Sequence, residues 1–97
     1  MAAPITLRVV TQEGLAFEEP ATAIRAPGEV GYLGILRNHA PLVTTLRPGM
    51  LSWRRPGGPR QTARIGAGLL EVVKNRVTIL TESVSEPKPV SERAGLA

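Results

Sequence analysis

Ile5, Leu7 and Val9 alternate with Thr6 and Arg8, and this period of two is the dominant pattern of the chain. Residues two apart on a strand share a face, so each such run predicts a strand buried on one side. Leu70 and Val72 alternate with Leu69, Glu71 and Val73, and Val77, Ile79 and Thr81 alternate with Thr78, Leu80 and Glu82. Turn signals punctuate the runs at Gln12-Glu13-Gly14, Pro27-Gly28, Arg47-Pro48-Gly49, Pro56-Gly57-Gly58-Pro59, Gly66-Ala67-Gly68 and Lys74-Asn75. Pro presets φ and Gly accepts positive φ, so these pairs suit tight turns. The run from Arg55 to Arg60 predicts a hairpin tip between strands at Met50–Arg55 and Arg60–Ile65. Leu51, Trp53 and Arg55 then share one face, with Met50, Ser52 and Arg54 on the other.

No apolar stripe at helical spacing before residue 84 is long enough for a helix of three turns. Many short strands with closely spaced turns predict one all-β domain, a sandwich or barrel over Ile5–Val84, closed by strands near its two ends. Beyond residue 84 the chain is polar, carries prolines and has no period, so 85–97 reads as a flexible tail. At most, Ser91–Leu96 forms a frayed helical turn.

With 97 residues the chain supports one modest core. It has no cysteine, which excludes disulfides and thiolate metal sites. Its apolar runs are far shorter than a membrane span, and its N-terminus lacks the pattern of a signal peptide. These features disfavour a secreted module. The net charge is +4, with a denser basic patch at Arg54, Arg55, Arg60 and Arg64. A small basic β-barrel binding single-stranded nucleic acid is therefore the alternative reading, but Phe17, Tyr32 and Trp53 are the only aromatic residues available for stacking.

Catalysis is disfavoured by the residue inventory. There is no Asp, and His39 is the single histidine, so nucleophilic triads shrink and a His-rich metal site is impossible. Glu18 and Glu19 are adjacent and would point to opposite faces of a strand. No glycine loop leads into a helix that could cradle phosphate. The expectation is no catalytic residue, cofactor or metal site.

The segment Ala26–Leu46 needs a different explanation. Gly28, Gly31 and Gly34 fall three apart among Tyr32, Leu33, Ile35 and Leu36, followed by Asn38-His39-Ala40-Pro41 and Leu42-Val43. Such a loop either folds back over the core or offers its apolar side chains to a partner.

Five motifs stand in series: Val10-Thr11-x-Glu13-Gly14-x-x-Phe17; Ala26-Pro27-Gly28-x-x-Gly31-x-Leu33-Gly34-Ile35-Leu36; His39-Ala40-Pro41-Leu42-Val43-Thr44; Leu46-x-Pro48-Gly49; and Gly68-x-Leu70-Glu71-Val72-x-x-Asn75-x-Val77-Thr78-Ile79-Leu80. In order and spacing, from about Leu7 to Val84, they closely resemble the N-terminal domain of the epsilon subunit of bacterial F-type ATP synthases. The resemblance implies a flattened β-sandwich of about ten short, mostly antiparallel strands. It also implies a non-catalytic place in the central stalk, on the cytoplasmic side of a bacterial membrane. The partners would be the gamma subunit and the c-ring, in a complex with alpha and beta subunits. Membrane contact would come only through the ring, with no nucleic acid bound. Carried over by position, Glu29, Val30, Gly31, Tyr32, Leu33, Asn38, His39, Ala40 and Leu42 would meet the c-ring. Val10, Thr11, His39, Val43 and Thr44 would meet gamma.

Two departures stand out. Most members read Pro-Gly-His-Ala-Pro where this chain reads Arg37-Asn38-His39-Ala40-Pro41, and Asn tolerates the left-handed conformation better than most residues. Typical members also continue into a C-terminal helical hairpin that inhibits ATP hydrolysis and in some binds ATP. Here a short polar stretch stands in its place, so those roles are not expected.

Overall fold

A computed structural model of the protein describes residues 3–90. It contains ten strands: β1 Ile5–Thr11, β2 Gly14–Ala21, β3 Ala23–Gly28, β4 Gly31–Leu36, β5 Leu42–Leu46, β6 Gly49–Arg54, β7 Arg60–Ile65, β8 Gly68–Val73, β9 Arg76–Thr81 and β10 Lys88–Pro89. There is no helix among the described residues.

The strands form one hydrogen-bonded sheet in the order β10-β7-β6-β3-β5-β8-β9-β1-β2, with β4 alongside β3. The sheet doubles over where β3 meets β5 at the single pair Gly28↔Leu46. One layer then holds β5, β8, β9, β1 and β2, and the other holds β4, β3, β6, β7 and β10. Pairing is antiparallel except between β1 and β9, which run parallel from Thr6↔Arg76 to Val10↔Leu80. That pairing of the first and ninth strands is the closure that the sequence pattern predicts.

The core follows the alternation. Ile5, Leu7 and Val9 of β1, Leu70 and Val72 of β8, and Val77 and Ile79 of β9 are buried against Leu51, Trp53, Ala63 and Ile65 of the other layer. Full burial of each large aliphatic side chain is worth about 1.5–3 kcal/mol. The predicted hairpin is present as β6 and β7, paired from Gly49↔Ile65 to Arg54↔Arg60. Trp53 stacks on Phe17 of β2, with centroids 5.1 Å apart and planes 22° from parallel.

Glu19 fastens the same corner. Trp53 Nε1 donates to its Oε1 at 2.8 Å, and Arg55 donates through Nε to Oε1 at 2.6 Å and through Nη2 to Oε2 at 3.1 Å. The hydrogen bonds from Arg55 lead the causes that hold the Glu19 carboxyl below its ordinary pKa. Glu18, its neighbour on the opposite face, pairs instead with Arg8 at 3.0 Å.

Residues 85–90, expected to belong to a free tail, are instead paired with β7. Ser85 N donates to Arg64 O, Lys88 and Pro89 pair with Thr62 and Gln61, and Val90 N donates to Arg60 O. Without this segment β7 would be a bare edge, and backbone groups there accept any chain able to extend, whatever its side chains. Hydrophobic periodicity carries no signal for such pairing. Ser91–Ala97, including the helical turn considered at Ser91–Leu96, lies outside the described residues.

Candidate partner interface

Antiparallel connections gather the turns at two opposite ends of the sandwich. One end carries Gln12-Glu13, Glu29-Val30, Arg47-Pro48 and Gly66-Ala67, and the other carries Thr22, Arg37–Pro41, Arg55–Pro59 and Lys74-Asn75.

At the first end, Gly28 pairs with Gly31 and leaves Glu29 and Val30 as the tip. Gly31 sits at φ +134°, where a side chain would be strained. Val30 is fully exposed, with nothing in the domain to cover it. Tyr32 is half-exposed, but it is held: its hydroxyl accepts from Met50 N at 3.3 Å, and the Arg25 guanidinium lies 4.9 Å from its ring centroid. Leu33 turns inward onto the core.

At the opposite end, Asn38 adopts φ +67°, the left-handed conformation anticipated for the residue that replaces Gly. His39 N donates to Leu36 O at 3.2 Å, and Nδ1 donates to Ala40 O at 2.7 Å. These bonds make His39 a constraint on its own turn. Asn38 N donates to Asn75 Oδ1 at 2.6 Å, and Asn75 Nδ2 donates back to Asn38 Oδ1 at 3.2 Å.

The residues carried over to the c-ring are therefore not brought together. The Glu29-Val30 tip is separated from the Asn38 turn by the length of β4, roughly 20 Å at strand rise, while Gly31, Tyr32 and Leu33 lie within β4 itself. The motif reads as continuous in sequence because a strand, invisible as a distance in one dimension, runs through its middle.

The residues carried over to gamma divide by face. Val43 is exposed on the outer side of its layer, whereas Thr44, next to it on β5, points inward with Leu42 and Leu46. Val10 and Thr11 lie at the end of β1, and Thr11 Oγ1 accepts from Glu13 N at 3.2 Å, fixing the turn. Val10 belongs to a row that residue-by-residue matching misses. The register places Leu69 beside Leu80, Leu80 beside Val10, and Val10 beside Leu15. Leu15, Leu69 and Leu80 are 53%, 44% and 48% exposed, so four aliphatic side chains cross four strands on the solvent side. A shallow groove of about 670 Å³ runs along Val10, Leu69 and Leu80. Gly68 keeps the backbones close there, since a Cβ on it would collide with the Leu80 carbonyl oxygen. The signal was present in the alternation: Leu69 and Leu80 occupy outward positions, where a solvated sheet would carry polar residues.

A family model described as the beta-sandwich domain of the ATP synthase Delta/Epsilon chain matches residues 4–87. The chain belongs to this family. It is 40% identical over 97 residues to the ATP synthase epsilon chain of Acidithiobacillus ferridurans, covering all of this chain and 68% of that one. It is 38% identical to that of Desulfitobacterium hafniense strain Y51, covering all of this chain and 73% of the relative. Among solved structures, a chain of the Euglena gracilis mitochondrial ATP synthase, in an OSCP/F1/c-ring assembly, superposes with a TM-score of 0.81 at 29% identity. That match covers 90% of this chain and 55% of the Euglena chain. A chain from the Tetrahymena thermophila central stalk and c-ring superposes with a TM-score of 0.69 at 17% identity, over 84% of this chain and 65% of that one, a likeness of fold. As an epsilon-type chain the protein is a non-catalytic subunit of the F-type ATP synthase, which decides against the nucleic-acid-binding barrel.

Proposed function

We propose that the aliphatic row Leu69–Leu80–Val10–Leu15 docks the gamma subunit of the central stalk, while the Glu29-Val30 tip rests on the c-ring. The observation that carries this reading is the row itself: apolar residues on the outward face of a sheet whose core is already complete. Exposed aliphatics contiguous across several strands fit a protein partner. Val43, on the same outward face, extends the surface. Asn38, His39 and Ala40 lie at the end away from both Val30 and the row, and Leu42 turns inward onto the core.

The mechanism is mechanical. Ion flow turns the ring, and the sandwich carries that rotation into gamma so that the catalytic head, which contains alpha and beta, receives it as torque. A close-packed core is barely compressible and passes the strain on. The tip is framed by Gly28 and Gly31 and braced by Tyr32, so Val30 projects from a fixed base. The protein sits on the cytoplasmic side of a bacterial membrane, touching it only through the ring.

Affinity purification of the tagged chain from its native membrane tests the reading. Gamma, c, alpha and beta subunits are expected to follow it. Leu69→Glu with Leu80→Glu should lose them all, and Val30→Glu should lose the c subunit while keeping gamma. Unchanged recovery of gamma with the double variant would overturn the assignment.

A further inference from the structure

The outer face of the second layer differs sharply from the first. Its outward positions are Tyr32, Gly34 and Leu36 on β4, Ala23 and Arg25 on β3, Met50, Ser52 and Arg54 on β6, Arg60, Thr62 and Arg64 on β7, and Lys88 on β10. None of these is acidic, and Glu86 stands two residues before Lys88 in the chain. Arg54 and Arg60 stand directly opposite each other across β6 and β7, an arrangement that destabilises a sheet when the charges are alike. Neither makes an ion pair among the described residues, whereas Arg8 and Arg55 are neutralised by Glu18 and Glu19. A shallow depression of about 280 Å³ lies between Arg25, Ser52, Arg54 and Arg60.

From this arrangement we infer that the Arg25–Arg54–Arg60–Arg64 face docks a carboxylate-rich protein segment, lying extended across β3, β6 and β7. The inference rests on the central-stalk reading in one respect: with the aliphatic face held by gamma, the basic face points away from the stalk. The cations spread across several strands, which suits an extended chain whose same-side carboxylates recur every second residue better than a single small anion. Single-stranded nucleic acid would need bases to stack. On this face the only ring is Tyr32, already covered by Arg25, and Trp53 and Phe17 are stacked on each other. A segment bridging Arg54 and Arg60 would convert their repulsion into two charge-assisted contacts.

The test uses the full chain and a fluorescent decapeptide of alternating Glu and Ser, read by anisotropy and by backbone NMR shifts. Binding is expected at low salt, with shifts at Arg25, Arg54, Arg60 and Arg64. Affinity should fall about tenfold or more in Arg54→Glu with Arg60→Glu and drop with added salt. Absence of binding, or binding indifferent to the double variant, overturns the inference. So does tighter binding of a ten-residue oligothymidylate or of phosphatidylglycerol vesicles than of the peptide. The two readings fail separately: Arg54→Glu with Arg60→Glu should still recover gamma and the c subunit, and Leu69→Glu with Leu80→Glu should still bind the peptide.

Discussion

Asn38 and Asn75, 37 residues apart, brace each other through their side chains while both hold left-handed backbone, at φ +67° and +61°. Lys74, at φ +48°, completes the two-residue turn that joins β8 to β9. The pair ties the turn after β4 to the turn of another hairpin, so each fixes the angle of the other. Replacing Asn75 by Ala removes both side-chain bonds and strains the backbone, and should cost about 2 kcal/mol in a urea melt. Asn75→Gly should recover only the backbone share. At position 38 the order reverses: Asn38→Gly keeps the shorter bond, made by the backbone N–H, and should cost a few tenths of a kcal/mol, while Asn38→Val should cost about 1–3 kcal/mol.

Acid should loosen the corner at Glu19. Its carboxyl is held below the ordinary value chiefly by the Arg55 hydrogen bonds. The stability it contributes is therefore complete above the unfolded carboxyl pKa and is lost as pH falls through the lower, folded value. Wild type should lose stability below about pH 4.5 more steeply than Glu19→Gln, by thermal melts across pH 3–6. Glu19→Ala leaves Trp53 Nε1 without its acceptor and should cost about 2 kcal/mol at neutral pH.

The like-charged pair gives a prediction of opposite sign. Arg60→Thr relieves the contact with Arg54 and places a β-branched residue on a strand. The isolated domain should melt about 1–5 °C higher, measured at low ionic strength, with the gain shrinking in high salt.

Leu69→Glu with Leu80→Glu changes only half-exposed positions, so circular dichroism and melting temperature should stay close to wild type while assembly with gamma is lost. A fall of more than about 10 °C would mean the row serves the fold instead.

Much of the fold was legible because alternation reports which face of a strand is buried, and β1, β8 and β9 obey it residue by residue. Turn chemistry marked their limits, and Lys74-Asn75 turns where expected. The pairing of Ser85–Val90 with β7 was not legible, since backbone hydrogen bonding needs no particular side chain. The proposed docking row was half legible. Val10 came from matching motifs, but the row it joins exists only once register sets Leu69 beside Leu80 and Leu80 beside Val10. The partition of the Glu29-Val30 tip from the Asn38 turn likewise needs the third dimension.

Thr6 and Arg76 lie about 70 residues apart, yet they begin the parallel ladder that closes the first layer. On a ribosome, β1 is made early and must wait with one edge unsatisfied until β9 emerges. The antiparallel hairpins can zip locally in the meantime, so closure by β9 is the late, slow event of folding. A nascent chain stalled before Arg76 would expose a sticky strand edge, and the aliphatic row that β9 completes with Leu80 would not yet exist. On the docking proposed above, competence to bind gamma arrives only after nearly the whole domain has been synthesised.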